Sequence, residues 1–160
     1  MSDKRVGIAE LAVGAGEGTL STIALGSCVA IVLYDAVARV GGLAHVLLPE
    51  PERPANGDNP ARYPGTALPA LVERMTALGA ARARIGARLV GGASMFAALL
   101  PKDAVTVGSR NVSASRQALA AAGIPLVAED VGLDHGRSVY FHLADGRVEV
   151  RSLARGTRVL

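Results

Sequence analysis

Between Pro49 and Pro64 five prolines fall within sixteen residues, and no other stretch constrains the fold as strongly. Each proline fixes its own φ, lacks an amide donor and biases the residue before it away from helix. Regular structure is therefore not expected there, and so long a connection in a compact domain points to a functional or mobile loop. It divides the chain into two unlike parts. Before it the pattern is strand after strand: Val6–Val13 alternates weakly, Thr19–Leu25 is rich in β-branched residues, and Cys28–Tyr34 and Gly42–Leu48 are nearly continuous apolar runs. Asp35 marks a turn between the last two.

After the prolines, Leu68, Leu71, Val72, Met75 and Leu78 recur at helical spacing, which predicts a helix over Thr66–Leu78 closed by Gly79. Ile85–Val90 reads as a strand, Ser94–Leu99 as a short helix stopped by Pro101, and Val105–Val107 as a short strand. A second helix is expected over Ser109–Ala122, ending at Gly123, followed by a strand over Leu126–Val131. Ser138–Leu143 and Arg147–Ser152 form a hairpin around Asp145-Gly146, which signals a type I′ turn. The expected fold is α/β, a layered sandwich of mainly antiparallel sheet with helices packed on one side.

A length of 160 residues suits a single domain spanning 1–160. Half the residues are apolar and 19% are charged, so an ordinary core is within reach and disorder is not expected. With no Trp, two Phe and three Tyr, that core must come from Val, Leu, Ile and Ala. The formal charge is +3, yet the arginines are scattered singly (Arg53, Arg62, Arg74, Arg82, Arg84, Arg88), with none of the basic stripe and interleaved aromatics that nucleic-acid binding requires. No signal-peptide pattern follows Met1, and no apolar run reaches the roughly 18 residues of a membrane span. The single cysteine forms no internal disulfide, which points to a reducing, cytoplasmic compartment.

That cysteine is also the first candidate for chemistry. Cys28 follows the break Leu25-Gly26-Ser27 and begins an apolar strand, so the sheet would fix its side chain while the turn leaves room for substrate. Peptide N–H groups around Gly26–Cys28 would face a developing oxyanion. A free cysteine more often packs as a small hydrophobe, so a partner must support the reading. His45 lies inside the apolar run Leu43–Leu48, where an imidazole needs a reason. A hairpin turning around Ala36-Val37 would set Cys28 and His45 directly opposite, with Cβ atoms about 4.5–5.5 Å apart. A register shift of two residues would weaken that contact, and a shift of one would break it. Together they would form a thiolate–imidazolium pair able to protonate a leaving amine and later activate water. A third group must orient the ring, and Thr22 on the preceding strand is the best placed, through its side chain or its carbonyl.

Other patterns lack the spacing their chemistry needs. Leu25-Gly26-Ser27-Cys28-Val29 is not a serine-hydrolase elbow. Gly14-Ala15-Gly16-Glu17-Gly18 leads into a strand, not a helix, so phosphate binding loses its physical basis. His135 and His142 show no metal-ligand spacing with Cys28 or His45, and no metal or cofactor is expected. Gly91, Gly92 and Gly108 are assigned to backbone geometry, and Arg110-Asn111 to a helix entrance with Asn as a cap.

The run from Thr22 through Gly26-Ser27-Cys28 to Asp35, with Gly41-Gly42-Leu43-Ala44-His45 up to Pro49, resembles the signature of the CheD family of chemoreceptor glutamine deamidases. The resemblance extends to Arg62-Tyr63, Gly91-Gly92-Ala93-Ser94-Met95-Phe96, Gly108-Ser109-Arg110-Asn111, Glu129-Asp130-Val131-Gly132 and Gly136-Arg137-Ser138-Val139, from about Val6 to Arg151. One departure is Leu133, where many relatives carry a second glycine. The resemblance implies Cys28, His45 and Thr22 as the catalytic residues and the cytoplasmic helices of methyl-accepting chemotaxis receptors as substrate. It also implies the CheY-phosphate phosphatase CheC as a further partner, which makes a regulatory binding module the alternative to an enzyme. A monomer without cofactor is expected.

Overall fold

The computed structural model describes residues 3–50 and 59–160. The strands are β1 (Lys4–Arg5), β2 (Leu11–Ala15), β3 (Thr19–Leu25), β4 (Val29–Asp35), β5 (Val40–Val46), β6 (Gly86–Gly91), β7 (Leu126–Val131), β8 (Arg137–His142), β9 (Val148–Ser152) and β10 (Gly156–Val159); the helices are α1 (Pro64–Ala77) and α2 (Val107–Ala122). One sheet runs β1-β3-β8-β9-β10 and the other β2-β5-β4-β6-β7. Among the described residues only β1–β3 and β6–β7 pair in parallel, and the other pairings are antiparallel.

The unbroken apolar run of β4 has a simple cause: both its faces are covered. Val29, Ile31 and Leu33 point into a cluster with Leu68, Leu71, Met75 and Val112 of the helices. Ala30, Val32 and Tyr34 point the other way, into a cluster shared with Leu20, Val139, Phe141 and Val150 of the second sheet. The molecule is thus three layers, with both helices on one side, as the element order predicts. Between the sheets the Tyr34 and Phe141 rings meet edge to face at 5.6 Å, and the Tyr34 hydroxyl donates to the Leu143 carbonyl at 2.7 Å.

Several local expectations differ from the structure. Val6–Val13 is not one strand. Residues 6–10 cross from one sheet to the other through a turn in which the Gly7 amide donates to Glu10 Oε1 and Ala9 adopts φ 58°. The expected strand over Val105–Val107 is instead a helix start, with Thr106 and Ser109 capping α2 reciprocally. Ser94–Leu99 yields only a short 3₁₀ turn at Ala97–Leu99, none of whose residues is buried. The turn at Asp145-Gly146 is not type I′, because only Gly146 has positive φ. Leu143 is buried and its amide donates to Gly18, which widens the connection to four residues, 143–146. Of the proline-rich segment, 51–58 lies outside the described residues. Its end is regular after all: Pro60–Arg62 forms a 3₁₀ turn and Pro64 is the first residue of α1, the position where a missing amide costs least.

Candidate active site

The β4–β5 hairpin carries two of the three predicted residues, and the second sheet carries the third. Ala30 pairs with His45 and Val29 with Val46, so Cys28, just beyond β4, continues opposite Leu47. The expected register is therefore off by two residues. The cause is the turn: Asp35 accepts from the amides of Val37 and Ala38, Arg39 takes φ 54°, and pairing resumes at Asp35–Val40 across four residues rather than two. A shift of two preserves the face. Cys28 and His45 both point toward the second sheet as diagonal neighbours, at the roughly 7–8 Å spacing typical of such positions.

Thr22 meets His45 from across the gap. Its Oγ1 lies 2.7 Å from His45 Nδ1 and 2.6 Å from the Val6 carbonyl, and Thr22 is fully buried. A carbonyl only accepts, so the one hydroxyl proton goes to Val6, and Oγ1 must then accept from Nδ1–H. This leaves Nε2 as the basic nitrogen of the neutral ring, and Nε2 is buried with no hydrogen-bond partner among the described residues. The open choice between the side chain and carbonyl of Thr22 thus resolves to the side chain. A bulge between Thr22 and Leu25, with Ala24 at φ 59°, lets both residues face inward although they are three apart.

Burial sets the charge state of the pair. It pushes the Cys28 thiol up, only partly offset by the residue's own amide, and it pushes the His45 imidazole down. Both directions favour neutral thiol and neutral imidazole at rest, in place of the expected thiolate–imidazolium pair.

Around the thiol the backbone is polarised to one side. The Gly26 carbonyl accepts from the Ala93 amide at 2.8 Å, the Cys28 carbonyl from the Gly92 amide at 2.8 Å, and the Ser27 carbonyl from Asn111 Nδ2 at 2.8 Å. Among the described residues the N–H groups of Gly26, Ser27 and Cys28 donate to no carbonyl. Glycines permit this packing: a Cβ on Gly91 would lie 2.3 Å from the Cys28 carbonyl oxygen, and one on Gly108 2.2 Å from that of Ala93. Ser27, Ser94, Met95, Phe96 and Val107 line an adjoining cavity of about 220 Å³ with an apolar rim. Asn111 does not cap α2; Thr106 does. Nor do the remaining histidines join the site: His142 Nε2 bonds Glu149 at 3.1 Å, and His135 lines a separate cavity with Arg151 and Leu153.

The family model for CheD chemotactic sensory transduction matches residues 47–152. A probable chemoreceptor glutamine deamidase CheD from Pyrococcus abyssi is 47% identical over 152 residues, covering 95% of this chain and 93% of that protein. Its counterpart from Pyrococcus horikoshii is 44% identical over 156 residues, with 98% and 96% covered. This chain belongs to the CheD family. A further CheD protein, from Geobacter metallireducens, is 45% identical over 156 residues. The family-model match starts just after the trio, whereas these full-length CheD matches are long enough to span Thr22, Cys28 and His45. The CheD departure at Leu133 is accommodated: Leu133 adopts φ 59°, a glycine-like conformation, and its carbonyl accepts from the Ser94 amide at 2.8 Å. Among the described residues no helix is long and apolar enough to cross a membrane.

Proposed function

We propose that this chain converts glutamines of chemotaxis receptors to glutamate, with Cys28 as nucleophile, His45 as proton carrier and Thr22 as the group that sets the histidine tautomer. The observation that carries this reading is His45 Nε2, which is basic, buried and, among the described residues, unpartnered, on the same face as the only thiol in the chain. A buried polar atom left without a partner carries a free-energy penalty of about 1–3 kcal/mol, and a proton from Cys28 or substrate would satisfy it.

As Cys28 Sγ attacks the carboxamide carbon, its proton passes to Nε2 and the carbonyl oxygen becomes an oxyanion that the peptide N–H groups at Gly26–Cys28 would stabilise, since among the described residues none of them donates to a carbonyl. His45 then gives that proton to the amide nitrogen, the C–N bond breaks and ammonia leaves, giving a glutamyl thioester. Water attacks the thioester while passing a proton to Nε2. The C–S bond breaks, glutamate forms, and the thiol regains its proton. The sum is carboxamide plus water to carboxylic acid plus ammonia.

Mass spectrometry of a receptor cytoplasmic fragment tests this directly, since hydrolysis through a thioester adds about one dalton per modified glutamine. The gain is expected with the intact protein and absent with Cys28→Ala. Equal gain with both proteins would eliminate the thiol mechanism. No gain with several receptors would favour a binding module acting through CheC, a role that survives loss of Cys28.

A further inference from the structure

The carbonyls of Gly26, Ser27 and Cys28 each accept a hydrogen bond, and only that of Ser27 takes it from a side chain. Asn111 is completely buried in α2, and its Nδ2 donates to the Ser27 carbonyl at 2.8 Å and the Leu47 carbonyl at 3.2 Å. Among the described residues its Oδ1 has no partner, so this carboxamide is held through its donors. The two carbonyls it joins lie where the β4–β5 ladder has stopped. Beyond Val29–Val46 no ladder pair follows, and the amides of Leu47 and Leu48 turn away to the Arg62 carbonyl. Cys28 therefore sits outside the ladder that fixes His45, and Asn111 is the side chain that bridges the two strand ends.

The second consequence concerns the peptide plane. Among the described residues no peptide bond is cis, so the Ser27 carbonyl and the Cys28 N–H, which belong to one peptide, point in opposite directions. Anchoring the carbonyl on Asn111 aims that N–H away from α2, and a donor at the carbonyl end also polarises it. We propose that Asn111 is a positioning residue: it orients the Ser27–Cys28 peptide so that the Cys28 N–H serves as an oxyanion donor. This rests on the acyl-transfer chemistry proposed above, though not on the identity of the substrate.

The test separates two reactions of the same thiol. Alkylation by iodoacetamide forms an S–C bond, expels iodide and releases the thiol proton, all without an oxyanion. Acylation by p-nitrophenyl acetate forms an S–C bond at the ester carbonyl, passes through an oxyanion, and expels p-nitrophenolate as the thiol proton moves to His45. Asn111→Leu removes both hydrogen bonds at similar volume; Asn111→Ala removes them but leaves space for a bridging water. With circular dichroism and melting used to verify folding, either variant suffices if the other fails. The expected result is alkylation within about threefold of the intact protein and acylation slowed at least about tenfold, more in the Leu variant than in the Ala variant. For a receptor fragment, kcat should fall with KM unchanged. An unchanged ratio of acylation to alkylation overturns the proposal, as does an equal fall in both. A protein that acylates normally at Cys28 yet deamidates no receptor overturns the substrate assignment and leaves the role of Asn111 standing.

Discussion

The two ends of the β4–β5 hairpin bury polar side chains to the same depth and treat them oppositely. At the closed end Asp35 is fully buried and saturated: it accepts from the amides of Val37, Ala38 and Ala81 and from Arg84 at 3.0 Å. Burial alone would raise its carboxyl, but Arg84 and the three amides outweigh that and hold it well below the usual carboxylate range. At the open end His45 is 1% exposed, with one ring nitrogen tied to Thr22 and the other left bare. Asp35 has its bonds made, whereas His45 has one withheld on the face that also carries the Cys28 thiol. Under the proposed function the same strands serve as anchor at one end and as reactive edge at the other.

Substitutions at the two ends should separate these roles. Replacing His45 with Gln is expected to lower deamidation by about 10³-fold, roughly 4 kcal/mol of barrier, while urea unfolding stays near that of the intact protein. A large loss of stability would mean that His45 is scaffold too. Asp35→Ala should do the reverse, with about 2–4 kcal/mol of stability lost to unpaired amides and a stranded Arg84, read by urea denaturation, and little change in rate per folded molecule. Thr22→Val frees the imidazole tautomer and should reduce kcat about 10–100-fold, with Thr22→Ser restoring most of it. Retention of full activity by the Val variant would remove Thr22 from the mechanism.

The smallest effects are in pH. Both His45 and Asp35 have folded-state pKa values below their unfolded ones, so the unfolded chain binds more protons and each contributes stability that is lost as pH falls. For His45 the loss begins below about pH 6.5 and for Asp35 below about pH 4, so acid titration of stability should show two windows. Asp35→Asn should erase only the lower one. By the same directions, deamidation should hold its rate to below pH 6.5 on the acid side, and Cys28 alkylation should still be rising past pH 9. An alkylation plateau near neutrality would show an ion pair at rest.

Much of this was legible before the fold. The runs at Thr19–Leu25, Cys28–Tyr34 and Gly42–Leu48, and the helix spacing from Leu68, all correspond to elements within two or three residues. His45 stood out because an imidazole in an apolar strand is chemically expensive, and Cys28 because a turn precedes it. What could not be read is what depends on a second chain segment. The hairpin register turns on how Asp35 caps its own loop, and the Thr22 bulge on pairing with β8 more than 100 residues away. Asn111, within Gly108-Ser109-Arg110-Asn111, reads as a cap, because nothing in helical spacing reveals that Gly108 brings α2 against Ala93. The strands β1 and β10 are short and polar, with no periodicity to find.

Cys28 and His45 lie seventeen positions apart and share one hairpin, whereas Thr22 belongs to the sheet in which β3 lies between β1 and β8. During synthesis the hairpin emerges long before β8, which begins at Arg137. Until that late strand arrives, β3 lacks one of its two neighbours, and the threonine that meets the imidazole is held from one side only. The contact between Thr22 and His45 is in this way a property of two sheets brought together, one of which is completed only by a strand that begins at Arg137.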